Sequence, residues 1–163
     1  MIDLKEIKNK IITKNNLYCL IIISIIFFLD RYSKLFILEN FTEDTYYFND
    51  YINLDLVWNI GIGFGLLSSN SSLLYNLMSL IIGSVIIILI YVGLMSEKFD
   101  KLIYSIIIGG ALGNFYDRLS FKAVPDFIDI HYSNFHWFTF NVADIFISIG
   151  IIVFIIKSFY KKN

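Results

Sequence analysis

Long apolar runs, several of them interrupted near one end by charged residues, dominate the pattern of hydrophobic and polar positions along the chain. A helix needs about 20 predominantly apolar residues to cross the roughly 30 Å hydrocarbon core of a bilayer. Four runs approach or reach that length, at about residues 17–38, 73–95, 102–119 and 138–156. They predict an all-α membrane protein with four transmembrane helices, forming a single integral membrane domain over residues 1–163.

The composition agrees with lipid as the solvent. Hydrophobic residues make up 57% of the chain and charged residues only 17%, which is unlike a water-soluble domain with a polar surface. A single cysteine, Cys19, excludes an internal disulfide framework and a cysteine-based zinc site.

The distribution of charge predicts the orientation of the spans. Lysines flank the predicted spans in three segments, and these segments should be cytoplasmic by the positive-inside rule. The lysines are Lys5, Lys8, Lys10 and Lys14, then Lys98 and Lys101, then Lys157, Lys161 and Lys162. The connection over residues 39–72 contains five acidic residues and no Lys or Arg, so it should lie outside. We therefore expect a multi-pass protein of the bacterial inner membrane with both termini in the cytoplasm.

Two segments on the outer side carry their own signals. Residues 46–67 are rich in aromatic, Asn and β-branched residues and end in a glycine-rich stretch, which favours a short sheet or hairpin at the membrane surface. Residues 121–137 are too polar to cross and are rich in Phe, Tyr, His and Trp, which is typical of a loop in the membrane interface.

Polar residues inside three of the spans fall at one depth. The first and third spans run outward and carry Asp30, Lys34, Asn114, Asp117 and Arg118 near their ends, whereas the fourth runs inward and carries Asn141 and Asp144 near its start. Ionisable residues within a span are costly and usually mark function. One shared site near the outer surface explains their common level.

Spacing separates these residues into groups. Asp30 and Lys34 are four apart on one helix face and predict an ion pair that supports the scaffold. Gly110 shares a face with Asn114 and Arg118, and is equally compatible with helix packing and with a site lining. Asp144 has no cation nearby in its span, which favours a functional role.

The outer loop adds further acids. Asp126 follows the only proline, which restricts the local backbone and holds the side chain just outside a span. Asp129 and His131 are expected to be solvated or interfacial. A metal site formed by Asp126, Asp129, His131 and His136 is a weaker alternative, because their spacing matches no metal-binding motif.

Two carboxylates that share a site cannot both ionise cheaply, so one retains its proton while the other acts as a base. This is the chemistry of aspartic proteolysis, which requires neither a metal nor a nucleophilic side chain.

Five motifs in order carry a family resemblance. They are Asp30-Arg31-Tyr32-Ser33-Lys34, Asn59-Ile60-Gly61-Ile62-Gly63-Phe64, the block from Gly109 to Leu119 (GGALGNFYDRL), Val124-Pro125-Asp126-Phe127-Ile128 and Phe140-Asn141-Val142-Ala143-Asp144. The chain resembles the bacterial lipoprotein signal peptidases (signal peptidase II). It departs from their pattern at Gly63, where the family usually has Ala, a small-for-small change.

The resemblance implies an aspartic endopeptidase that cleaves diacylglyceryl-modified prolipoproteins before the lipidated Cys, at the periplasmic side. It implies Asp126 and Asp144 as the catalytic pair, Asn59, Gly110, Asn114, Arg118 and Asn141 as substrate-binding or site-lining residues, and Asp30, Lys34 and Asp117 as structural supports. It further implies a periplasmic β-cradle formed by residues 46–67, no cofactor or metal, and sensitivity to globomycin. We expect a monomer in membrane lipid, with no nucleic-acid partner.

The alternative function is a small transporter or proton-conducting bundle, because intramembrane Asp, Asn and Arg also mark ion pathways. Such a pathway must cross the membrane, whereas the inner halves of the four predicted spans lack ionisable residues.

Overall fold

The computed structural model describes residues 13–41, 45–61, 72–133 and 135–160. These residues form long helices and one antiparallel sheet. In chain order the elements are α1 (Lys14–Asn40), β1 (Tyr46–Asn49), β2 (Ile52–Asn59), α2 (Ser72–Met95), α3 (Lys98–Phe121), β3 (Val124–Tyr132), β4 (Phe135–Phe140) and α4 (Val142–Tyr160).

The helices have the surface of a membrane protein. Two of them, over Tyr75–Met95 and Val142–Tyr160, are long and apolar enough to cross a bilayer. Large apolar side chains cover their outer surfaces, including Ile87, which is 69% exposed. Helices α1 and α3 are 27 and 24 residues long and also expose apolar side chains, but they carry the charged residues described below. The first three helices match their predicted positions to within four residues.

Helix α3 is the centre of the bundle and contacts each of the other three helices. Glycines permit the close approach of these helices to one another. A Cβ atom on Gly109 would lie 2.8 Å from Cβ of Ile26 in α1, and one on Gly150 of α4 would lie 2.4 Å from the Ile107 side chain. Both distances are shorter than a real contact, so these positions require the smallest residue for helix packing.

The sheet has the strand order β1-β2-β3-β4, with every neighbouring pair antiparallel. The predicted outer sheet is present as β1 and β2, while residues 62–67 of that segment lie outside the described residues. The prediction of an interfacial loop over residues 121–137 was wrong, because most of this segment forms β3 and part of β4. Strand β3 lies between β2 and β4, and its residues 128–130 pair with both neighbours, whereas Asp126 pairs with β2 alone.

The fourth helix begins at Val142 rather than at Phe138. Residues Phe138 and Phe140 are apolar and extend the hydrophobic run, but they pair with Ile130 and Ile128 of β3 as strand residues. Aromatic residues suit a strand as well as a span start, so hydropathy alone places the boundary too early.

Candidate active site

Asp126 is placed by β3 at the junction of the sheet and the helices. Lys122 ends α3 in the left-handed conformation with a φ of 56°, and β3 follows at once. The Asp126 side chain is buried, with Asn59 Nδ2 donating to one carboxylate oxygen at 2.9 Å and Asn141 Nδ2 donating to the other at 2.6 Å. Both carboxylate oxygens are thus held by neutral amides.

Burial raises the pKa of Asp126 from 3.8 to about 6. The hydrogen bonds from Asn59 and Asn141 favour the ionised form and lower the pKa, while the nearby charge of Asp144 raises it. Desolvation is the largest of these effects. The carboxyl of Asp126 therefore exchanges its proton much closer to neutral pH than an ordinary aspartic acid does.

Asp144 lies in the first turn of α4 and takes part in a reciprocal capping arrangement. Its backbone N–H donates to Asn141 Oδ1 at 3.2 Å, and its carboxylate accepts the backbone N–H of Asn141 at 3.1 Å. This is a capping box with Asn and Asp in place of the usual residues. Asn114 Nδ2 donates to the other Asp144 oxygen at 2.8 Å. The start of α4 therefore fixes the orientation of this carboxylate.

Asn141 joins the two carboxylates. Its side-chain amide donates to Asp126, and its backbone N–H donates to Asp144. Its side chain is fully buried. Asp126 and Asp144 also line one cavity of about 420 Å³, so the two acids that come from separate sequence segments form a single pair.

The cavity that contains this pair, called here the inner cavity, has both polar and apolar lining residues. Its polar lining is Asn59, Asn114, Arg118, Asp126, Thr139, Asn141, Asp144 and Ser148, and its apolar lining is Val124, Ile130, Phe138, Phe140, Ile145, Ile147, Ile149 and Ile152. Along α4 the lining runs from Asp144 to Ile152, which is about 12 Å at the rise of an α-helix.

A second cluster of charged residues lies between α1 and α3. Lys34 Nζ donates to Asp30 at 2.8 Å and to Asp117 at 2.7 Å, and all three side chains are fully buried. Arg31 also pairs with Asp117. We call Asp30, Arg31, Lys34 and Asp117 the ionic cluster. Each of its carboxylates has a cation as a direct partner, unlike the Asp126–Asp144 pair.

The ionic cluster touches the carboxylate pair at two points. Lys34 Nζ donates to Asn114 Oδ1 at 2.9 Å, so the amide of Asn114 presents its NH₂ group to Asp144. The free oxygen of Asp30 accepts the backbone N–H of Ala143 at 3.0 Å, in the first turn of α4. The cluster therefore orients both a neighbour of Asp144 and the backbone beside it.

Two glycines make this arrangement possible. A Cβ atom on Gly113 would lie 2.3 Å from Asp30 Oδ2, and one on Gly110 would lie 2.5 Å from the carbonyl oxygen of Ala143. Gly113 thus admits the Asp30 carboxylate, and Gly110 admits the start of α4. Of the two readings of Gly110, the structure supports helix packing, because this residue is not part of the inner cavity's lining.

Arg118 lies in the inner cavity and is largely buried. Its guanidinium donates to the carbonyl of Gly61 at 3.0 Å and to that of Asn114 at 3.2 Å, while its Nε has no hydrogen-bond partner among the described residues. Its own carbonyl accepts from Tyr75 at 2.9 Å. Arg118 thus connects the end of β2 to α3 beside the carboxylate pair.

Asp129 and His131 are buried, so the expectation that they are solvated or interfacial was wrong. Asp129 lies 2.7 Å from Nδ1 of His136 across the strand pair. The alternative metal site required these residues to meet Asp126. Within the described residues, no three His, Cys, Asp or Glu side chains form a group that could hold a metal ion.

Two groups that bind residues of the ionic cluster were not predicted from the sequence. Arg31 received no role, since its partner Asp117 is 86 residues away in the chain. The backbone N–H of Ala143, which binds Asp30, is invisible in any side-chain pattern. The charge of Arg31 inside a predicted span was a signal that it required a buried partner.

Two carboxylates are held by amides beside a partly apolar cavity in a helical membrane scaffold. This arrangement is typical of an aspartic-type membrane peptidase. The family model described as "Signal peptidase (SPase) II" matches residues 22–160. The chain is 45% identical over 158 residues to a lipoprotein signal peptidase of Pelagibacter ubique (strain HTCC1062), covering 95% of both sequences. It is 38% identical over 149 residues to that of Anaplasma phagocytophilum (strain HZ), covering 88% of this chain and 93% of the relative.

A solved structure described as a bacterial membrane enzyme, determined by the in meso method at 2.3 Å resolution, has the same fold. It is 27% identical, with a TM-score of 0.75 and coverage of 90% of each chain. A second structure, described in the same way at 1.9 Å resolution, has a TM-score of 0.69 at 26% identity, and covers 86% of this chain and 91% of its own. The chain belongs to the signal peptidase II family, which confirms the resemblance found in its sequence.

Proposed function

We propose that this chain is an aspartic endopeptidase that removes signal peptides from diacylglyceryl-modified prolipoproteins by cleaving before the lipidated Cys. The observation that carries the proposal is the Asp126–Asp144 pair, bridged by Asn141 within a cavity that continues into apolar surface along α4. A lipid-anchored substrate presents its scissile bond at such a boundary.

In this proposal Asp126 and Asp144 share one proton and hold the attacking water between them. The ionised carboxylate takes a proton from water while the protonated one donates its proton to the carbonyl oxygen of the scissile amide. The proton taken from water then passes to the leaving nitrogen, and a hydroxyl proton of the tetrahedral intermediate returns to the other carboxylate as the carbonyl forms again. The raised pKa of Asp126 supports its ability to retain a proton, since burial and the second carboxylate both oppose its ionisation.

The surrounding residues have supporting roles. Asn59 and Asn141 orient Asp126, and Asn114 orients Asp144. Arg118 contributes a donor-rich wall to the inner cavity. The ionic cluster of Asp30, Arg31, Lys34 and Asp117 holds α1, α3 and the start of α4 in register, and Gly110 provides the close helix contact.

The proposal includes four membrane-crossing helices in the bacterial inner membrane. Both termini are cytoplasmic, the site faces the periplasm, and the enzyme acts as a monomer without a cofactor. Full pairing of the buried charges in α1 supports its placement in the membrane, because it removes most of the cost of charge in a span. A transporter is less well supported, since no Asp, Glu, Lys, Arg or His lies between Asp144 and Lys157 of α4 or within α2.

The test uses purified protein in lipid and a prolipoprotein peptide with or without the diacylglyceryl group on its cysteine. We expect cleavage of the modified peptide only, to a product that begins with the lipidated Cys by mass spectrometry, and inhibition by globomycin. Equal cleavage of both peptides, or cleavage at another bond, would contradict the proposed substrate. A folded protein with no peptidase activity would contradict the function itself.

A further inference from the structure

A second cavity of about 330 Å³ adjoins the inner cavity on the side of the sheet. It is lined by residues 57–59 of β2, Ile60 directly after that strand, Asp126 of β3 and residues 137–139 of β4, and none of these residues belongs to a helix. We call it the outer cavity. Its volume lies within the range of roughly 300–1,000 Å³ that is usual for ligand pockets.

The two cavities meet at Asp126. Asn59, Asp126, Phe138 and Thr139 line both of them, whereas Asp144 lines the inner cavity alone. A polypeptide whose scissile bond lies at Asp126 can therefore extend into both cavities, with one side of the bond in each. The site thus has room for residues on both sides of the cleaved bond.

The two cavities differ in their surroundings. The inner cavity follows α4, which is apolar and long enough to cross a membrane, and its far wall is formed by isoleucines. The outer cavity has aromatic and small polar walls, including Trp58, Trp137 and Thr139, and Asp126 is its one charged lining residue. Trp137 is 61% exposed, which gives the outer cavity an open side.

The chemistry of the proposed substrate decides which part occupies which cavity. The signal peptide and the acyl chains are apolar and gain by remaining beside the membrane helices, while the mature chain must leave the membrane. We propose that the outer cavity binds the first residues of the mature chain, those that follow the lipidated Cys, and that Val57 and Trp137 select among them. This inference rests on the proposed function.

The position of Val57 supports a preference for apolar side chains. In the β2–β3 register it lies directly opposite Asp126, and it is 43% exposed. Directly opposed residues in an antiparallel pair have Cβ atoms about 5 Å apart on one face. A mature-chain residue next to the scissile bond therefore meets Val57 on one side and can reach the indole of Trp137.

The first experiment compares substrates that differ only in the second mature residue, Leu or Gly. For Trp137→Ala we expect kcat/KM to fall about 10-fold on the Leu substrate and little on the Gly substrate, since lost apolar contacts in a pocket have effects of this size. Phe48→Ala is the control, because Phe48 is equally exposed at 64% on the same sheet and lines neither cavity. Equal losses on both substrates, or no loss, would overturn the inference.

The second experiment maps the substrate directly. The Asp144→Asn variant binds a prolipoprotein peptide with a photoreactive group at either the third mature residue or the hydrophobic part of the signal peptide. We expect the first probe to label β2 or β4 and the second to label α4 over residues 145–152. Labelling of α4 by both probes, or the reverse pattern, would overturn the inference. Failure of the wild-type enzyme to cleave either peptide would instead contradict the proposed function.

Discussion

The molecule holds two groups of buried carboxylates by different means. In the ionic cluster, Asp30 and Asp117 are bound directly by Lys34 or Arg31. Among the residues that the structure describes, the side chains of Asp126 and Asp144 are bound only by N–H groups of Asn59, Asn114 and Asn141. A direct cation fixes a carboxylate in its ionised form, whereas a neutral donor orients it and leaves protonation possible.

This contrast supports the proposal that Asp30 and Asp117 have a structural role and that Asp126 and Asp144 have a catalytic one. The ionic cluster joins α1 to α3 through direct contacts between carboxylates and cations. In the proposed mechanism the Asp126–Asp144 pair instead exchanges a proton with water and substrate. Asn114 is one of the two contacts between the groups, because it accepts from Lys34 and donates to Asp144.

The largest expected effect comes from Asp126→Asn or Asp144→Asn. Each change preserves shape but removes one member of the proposed catalytic pair, so prolipoprotein processing should fall roughly 10⁴-fold or more. Asp50→Asn is the matched control, because Asp50 is an exposed acid at the turn between β1 and β2. Quantitative cleavage assays at equal amounts of membrane-inserted protein measure the difference. Near-normal processing by either variant would remove that residue from the pair.

The next effect concerns the ionic cluster. Lys34→Met removes the cation shared by Asp30 and Asp117 and leaves two buried carboxylates with reduced neutralisation. Loss of one partner of a buried ion pair costs roughly 3–5 kcal/mol, so the variant should unfold at much lower temperature in detergent. Lys157→Met is the control, since Lys157 forms a less buried pair with Asp100 at the other end of the bundle. Equal melting of both variants would contradict the structural role of Lys34.

A smaller effect should follow from Asn114→Ala, which interrupts one of the two contacts between the groups. It removes the donor to Asp144 and the acceptor from Lys34. A hydrogen bond to a charged group contributes about 1.5–3 kcal/mol, so kcat should fall about 10- to 100-fold. Asn49→Ala, in the β1–β2 turn, provides a comparison for stability. If Asn114→Ala lowers stability but not kcat, Asn114 belongs to the scaffold alone.

The sequence predicts much of this comparison. Both the energetic cost of a charge inside a span and the position of that charge along the span can be inferred from it. Asp30 and Lys34 are neighbours on one helix, and the isolated Asp144 signals a different role. What it does not predict is the sheet register that brings Asp126 between Asn59 and Asn141. The aromatic strands β3 and β4 resemble an interfacial loop in composition. Pairing between strands that are distant in sequence also leaves no periodic pattern from which their register could be predicted. The capping arrangement at Asn141 was also not predicted, because the predicted fourth span began at Phe138, whereas α4 begins at Val142.

The finest test of the contrast is the pH dependence of the carboxylate pair. Burial raises the pKa of Asp126 to about 6, so the protonated form that donates to the substrate is lost as pH rises through that value. We expect kcat/KM of the free enzyme to decline above about pH 6, as an apparent property of the coupled pair.

Asn59→Ala should move this decline to higher pH, because the Asn59 hydrogen bond lowers the pKa of Asp126 and its removal raises it. Thr45→Ala, which removes a hydroxyl hydrogen-bonded to Asp55 on the same sheet, should leave the profile unchanged. A profile that Asn59→Ala does not shift, or shifts to lower pH, would show that Asp126 does not control this titration.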